Sequence, residues 1–108
     1  MKKIRVFAAC QLGASISFFS QKLIEAAKEY DVELEVRHQN IDEAHGFDFT
    51  GYDVILIAPQ VRFHGRRIRQ QVDNKIPVVD IDGMTFATMD GNRGFENLIL
   101  PYIREKLG

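Results

Sequence analysis

The sequence predicts an α/β fold, a three-layer doubly wound sandwich built on a four-stranded parallel sheet. Three observations lead there. Apolar runs at residues 4–9, interrupted by Arg5, and 52–58, with its continuous Val-Ile-Leu-Ile core, have the character of strands buried on both faces. Amphipathic stretches with helical spacing lie between the strand candidates, and turn residues punctuate the joins. Strands that alternate with helices imply parallel pairing, right-handed crossovers and helices on both faces. At 108 residues the chain is expected to form one domain, 1–108, since it is too short for two independent cores.

Ile4 to Ala9 is an Ile-, Val- and Phe-rich run that predicts a first strand in the middle of the sheet. Phe18, Phe19, Leu23, Ile24 and Ala27 recur at helical spacing, with Gln21, Lys22, Glu25 and Lys28 opposite, and predict a helix of about four turns. In Val32 to Val36 apolar residues alternate with Glu33 and Glu35, the period of a strand with one wet face, which suits an edge. Asn40 to Thr50 reads as a loop or short helix. Tyr52 to Ala58, closed by Pro59, predicts an interior third strand. Val61 to Val72 reads as a helix with Phe63 or His64, Ile68 and Val72 turned inward. Asn74 to Pro77 breaks it, Val78 to Ile81 gives a fourth strand, and Asp82-Gly83 turns the chain. Asn92 to Leu107 places Phe95, Leu98, Ile99, Tyr102, Ile103 and Leu107 at three- and four-residue intervals, a helix interrupted by Pro101, which lacks a backbone donor.

Apolar residues at 45% and charged residues at 27% exclude a disordered or fibrous chain. Fourteen Lys and Arg against fifteen Asp and Glu give a net charge of −1, so no global field draws nucleic acid or anionic lipid. The single cysteine, Cys10, excludes an internal disulfide, a four-thiolate zinc site and a paired-cysteine redox centre. No metal or cofactor is expected. No apolar run approaches the roughly 20 residues of a membrane helix, and the stretch after Lys2 and Lys3 is too short for a signal peptide, so a cytoplasmic chain is expected.

In a sheet of this kind ligands sit outside the carboxyl ends of the strands, and the first strand-to-helix turn is the favoured place. Here that turn is Cys10-Gln11-Leu12-Gly13-Ala14-Ser15. Its backbone N–H groups, entering a helix, suit an anion, and Ser15 adds a hydroxyl. A free cysteine often packs as a small hydrophobe within a strand. Cys10 stands instead at the junction, where a helix N-terminus lowers a thiol pKa from about 8.5 into a range of roughly 3.5 to 7.5, which predicts a nucleophilic thiolate.

Cys-x-x-Gly-x-Ser directly after the first strand, with Ala58-Pro59-Gln60-Val61 after the third, resembles the lactose/cellobiose-type enzyme IIB components of the bacterial sugar phosphotransferase system. The likeness extends to the chain length, the lysine-rich start and the element order. It implies a phosphoryl carrier: Cys10 takes a phosphoryl group from a phosphohistidine on a IIA partner and passes it to a sugar held by the IIC permease, the chain being a protein-phosphocysteine sugar phosphotransferase that does not itself span the membrane. Gln11, Leu12, Gly13, Ala14 and Ser15 would surround the phosphate. Where the family often has Met-Ser-Thr after the glycine, this chain has Ala14-Ser15-Ile16, which removes one hydroxyl.

The competing enzyme class is a cysteine-dependent low-molecular-weight tyrosine phosphatase or an arsenate-reductase-like enzyme, whose sheet and cysteine loop are similar. Such phosphatases need an arginine six residues after the cysteine; Ile16 stands there. They also need a general acid, for which Asp82 and Asp90 are available, but the chain has no Asp-Pro pair. A ligand-binding module of the nucleotide or flavin type would need a glycine-rich phosphate motif that is absent, and a response-regulator type would need acidic residues where Ala8, Ala9 and Cys10 stand. Arg62, His64, Arg66, Arg67 and Arg69 form a basic cluster, read first as a solvated helix face and otherwise as a dock for an acidic partner; nucleic acid is not expected. His38 and His45 read as satisfied or exposed side chains, and Asp42-Glu43 and Asp80-Ile81-Asp82 as turn and cap residues.

Overall fold

A computed structural model describes residues 1–11 and 13–108, with backbone alone at 13 and 14. Four strands form one parallel sheet in the order β2-β1-β3-β4: β1 (Lys2–Cys10), β2 (Val32–Asn40), β3 (Val54–Ile57) and β4 (Val78–Asp80). The predicted four-stranded α/β sandwich is therefore present, with β1 and β3 inside and β2 at an edge. From β1 the chain winds outward to β2, then returns past β1 to β3, so the winding reverses between β1 and β3. The crevice beyond their carboxyl ends is the switch point at which such sheets bind ligands.

β1 is buried from Ile4 onward apart from Arg5, whose guanidinium lies 4.3 Å over the Tyr52 ring and whose Nε donates to Glu35 at 3.1 Å. β2 runs four residues beyond its alternating segment, because its ladder with β1 is continuous from Lys2↔Val32 to Cys10↔Asn40. Backbone pairing carries the strand through Arg37, His38, Gln39 and Asn40, which the side-chain pattern could not signal. β3 is shorter than its apolar run: Tyr52 donates its N–H to Phe49 in a turn, and Ala58 caps the segment that follows.

Helix α1 (Gly13–Lys28) buries Ile16, Phe19, Ser20, Leu23, Ala26 and Ala27. Phe18 is exposed, since it is offset from that stripe by one residue, about 100° around the helix. Asn40 caps the short α2 (Ile41–Ala44). The predicted helix over 61–72 is two pieces: a 3-10 segment (Pro59–His64), irregular at Val61, and α3 (Gly65–Gln71). Pro59 sets the first, Val61 and Ile68 point inward, and Phe63 is exposed. Asp82 starts α4 (Gly83–Ala87) by accepting from the Thr85 N–H at 3.0 Å, so the expected turn is a capped helix. Asp90 likewise caps α5 (Gly91–Gly94). Phe95–Ile99 widens into one π turn, with the Leu100 N–H reaching the Phe95 carbonyl, before α6 (Leu100–Leu107). Pro101 causes it: the missing N–H and the ring's clash with the carbonyl four residues back are relieved by the wider turn.

One face of the sheet is covered by α1, packed on α5 and the π turn; Phe19 meets Phe86 and Tyr30 meets Phe95 edge-on. On the other face Phe7 lies 4.9 Å from both Phe47 and Phe49 and 5.8 Å from Tyr52. These rings close the sheet beneath the α2–β3 connection, which Gln71 of α3 staples by donating to Ala44 and Phe47 and accepting from the Gly46 N–H.

Candidate functional site

Cys10 ends β1 at the switch point. Its side chain is 3% exposed, yet it borders a cavity of about 190 Å³ also lined by Gln11, Ser15, Gln60 and Phe86. Four elements meet there: the end of β1, the start of α1, the Pro59-Gln60 turn after β3, and α4 after β4. At about 30 Å³ per liquid water the space is ample for a tetrahedral anion.

The thiol donates to the Gln39 carbonyl of β2 with sulfur 3.7 Å from oxygen. Burial pushes its pKa up, because an anion there would lose hydration. This runs against the expectation of a thiolate at neutral pH: burial raises the pKa, and the hydrogen bond to the Gln39 carbonyl needs the protonated form. Gln11 and Ser15 line the cavity; Leu12 lies outside the described residues, and at Gly13 and Ala14 only the backbone is described. Gln60 and Phe86 belong to the lining as well. Gln60 was legible only through its place in the Pro-Gln turn, and Phe86 carries no sequence signal, since α4 folds it back onto α1 by tertiary packing.

The hydrolase alternative loses its parts. Ile16 is fully buried in the core, so neither a guanidinium nor a hydroxyl faces the cavity from that position. Asp82 is held below the ordinary carboxylate range by the Thr85 N–H and then by the Thr85 hydroxyl, the opposite of what a general acid needs. Asp90 is engaged by the Arg93 N–H.

His45 and His64, separate in sequence, meet with Nε2 and Nδ1 2.9 Å apart and join the end of α2 to the 3-10 segment. Among the described residues no histidine lines the Cys10 cavity. His38 is exposed on β2. In the basic cluster Arg62, Arg66 and Arg67 are exposed, whereas Arg69 donates to the Val78 carbonyl at 2.9 Å and pairs with Asp80.

The family profile described as "PTS system, Lactose/Cellobiose specific IIB subunit" matches residues 5–96. The chain belongs to the lactose/cellobiose IIB family. Two solved structures are similar in fold. The lactose-specific IIB component domain of the phosphoenolpyruvate:carbohydrate phosphotransferase system from Streptococcus pneumoniae superposes with a TM-score of 0.77 at 19% identity, over 94% of this chain and 98% of that one. The cellobiose-specific phosphotransferase IIB component protein from Borrelia burgdorferi gives 0.70 at 23% identity, over 94% of each chain. No curated protein sequence matches the chain. Membership of the IIB family implies phosphoryl transfer within a sugar phosphotransferase system, with IIA and IIC partners in general. Among the described residues of this IIB chain, no helix is long and apolar enough to cross a membrane.

Proposed function

We propose that residues 1–108 act as one cytoplasmic carrier domain in which Cys10 accepts a phosphoryl group from a IIA phosphohistidine and hands it to a sugar held by a IIC permease. The observation that carries this reading is a cysteine at the switch point, shielded from bulk water but opening on an anion-sized cavity.

In the first step a sulfur–phosphorus bond forms as the phosphorus–nitrogen bond of the donor breaks, and the thiol proton passes to the departing imidazole. A thiol that is protonated at rest suits this balance: the proton needed by the leaving group is already at the site, and no side-chain base is required. In the second step a sugar hydroxyl oxygen attacks phosphorus, the sulfur–phosphorus bond breaks, and the hydroxyl proton returns to sulfur. Both steps pass through a phosphoryl group whose equatorial oxygens need donors. The loop from Gln11 to Ser15 is assigned that role, each well-placed donor being worth about 2.7 to 4 kcal/mol in such sites. Shielding from water favours transfer over loss of phosphate to solvent.

Incubation with a phosphorylated IIA of the same type, read by intact mass, is expected to add one phosphoryl group to the wild type and none to Cys10→Ser. Rapid release of inorganic phosphate from an aryl phosphate, lost in Cys10→Ser, would overturn the choice of transfer over hydrolysis.

A further inference from the structure

We propose that Asn40, at the end of the edge strand, is a positioning residue for the cysteine loop; this rests on the carrier reading above. The register of the sheet sets Asn40 directly across from Cys10. Its side chain spends both ends locally. Nδ2 donates to the Gln11 carbonyl at 2.8 Å, and Oδ1 accepts the Asp42 N–H at 2.9 Å, which starts α2. The neighbouring Gln39 carbonyl takes the thiol hydrogen. Two consecutive residues of β2 thus hold the Cys10–Gln11 corner, one through sulfur and one through the peptide oxygen.

The consequence is electrostatic. A carbonyl oxygen held by a side-chain donor resists turning away from it. Asn40 is not among the residues that line the Cys10 cavity; it lines an adjoining groove of about 520 Å³ that shares Gln11 and Gln60 with it. The Gln11 oxygen is therefore held toward that groove. Were this peptide to rotate, a carbonyl dipole would turn its negative end toward the equatorial oxygens of an incoming phosphoryl group, where the reaction needs donors. Asn40 acts on the loop and does not touch the reacting atoms.

The two ends of the side chain are separable. Aspartate and serine both serve as N-caps, so Asn40→Asp and Asn40→Ser keep an acceptor for the Asp42 N–H, while neither presents the amide donor to the Gln11 oxygen. The serine variant does this without adding charge. With phosphorylated IIA as donor, both variants are expected to melt within a few degrees of wild type, to stay fully folded at the assay temperature and to reach the same half-saturating donor concentration, but to transfer about tenfold more slowly at saturation, the scale of one lost hydrogen bond. Wild-type saturating rates in both variants, or a loss that follows only the melting temperature or the half-saturating concentration, would overturn the proposal. If the wild-type chain takes up no phosphoryl group, the carrier reading falls and this one with it; normal wild-type uptake with unimpaired variants sinks this one alone.

Discussion

The Cys10 thiol is the residue on which chemistry and folding pull in different directions. Folding buries it and gives its hydrogen to the Gln39 carbonyl, so the native state holds the proton more firmly than the unfolded chain does. The stability this contributes is intact below the ordinary cysteine value of about 8.5 and is lost as pH climbs through the raised native value. Two outcomes follow. The rate of Cys10 alkylation by iodoacetamide should rise with a midpoint above that of a free cysteine; a midpoint below it would restore the thiolate picture. Denaturation midpoints measured across alkaline pH should fall more for wild type than for Cys10→Ser. The position of this residue was legible from a strand that stops at a cysteine, followed by Gly13 and Ser15. Its ionisation was not, because hydration is a property of the packed site and leaves no trace in the spacing of residues.

Among the elements, α5 packs closely on α1. A Cβ added at Gly91 would meet the Lys22 carbonyl, which is helix backbone and cannot yield. One added at Gly94 would come within 2.8 Å of Leu23 Cδ2 and 2.9 Å of Phe19 Cζ, side-chain atoms that can shift slightly. Gly91→Ala is therefore expected to cost about 1–3 kcal/mol in urea unfolding and Gly94→Ala less, the typical scale of overpacking; equal, negligible losses would show that the helices move apart freely. These glycines escape periodicity analysis, which counts apolar side chains and misses a contact made by having none. The buried strands and α1 were readable because burial repeats along them. The π turn before Pro101, the exposed Phe18 and Phe63, and the long tail of β2 were not, since each is settled by what the element meets in space.

At the scale of the whole molecule, Phe7 links the central strand to an aromatic lid made by residues distant in sequence, and Phe7, Phe47, Phe49 and Tyr52 all touch one another. One contiguous core joins this face to the opposite one through the sheet. Phe7→Ala is expected to lose about 3–5 kcal/mol while unfolding still occurs in a single transition by both circular dichroism and tyrosine fluorescence. Separate transitions for the two probes would mean that the lid melts independently of the rest.

Lys106 near the end of α6 pairs with Asp53 just ahead of β3, and Lys2 opens β1 at the same pole. Both chain termini therefore emerge from the amino ends of the strands, with the sulfur at the far pole. Any tether, dye or fused polypeptide attached at either terminus would hang at the pole opposite the Cys10 cavity, leaving the mouth of that cavity clear.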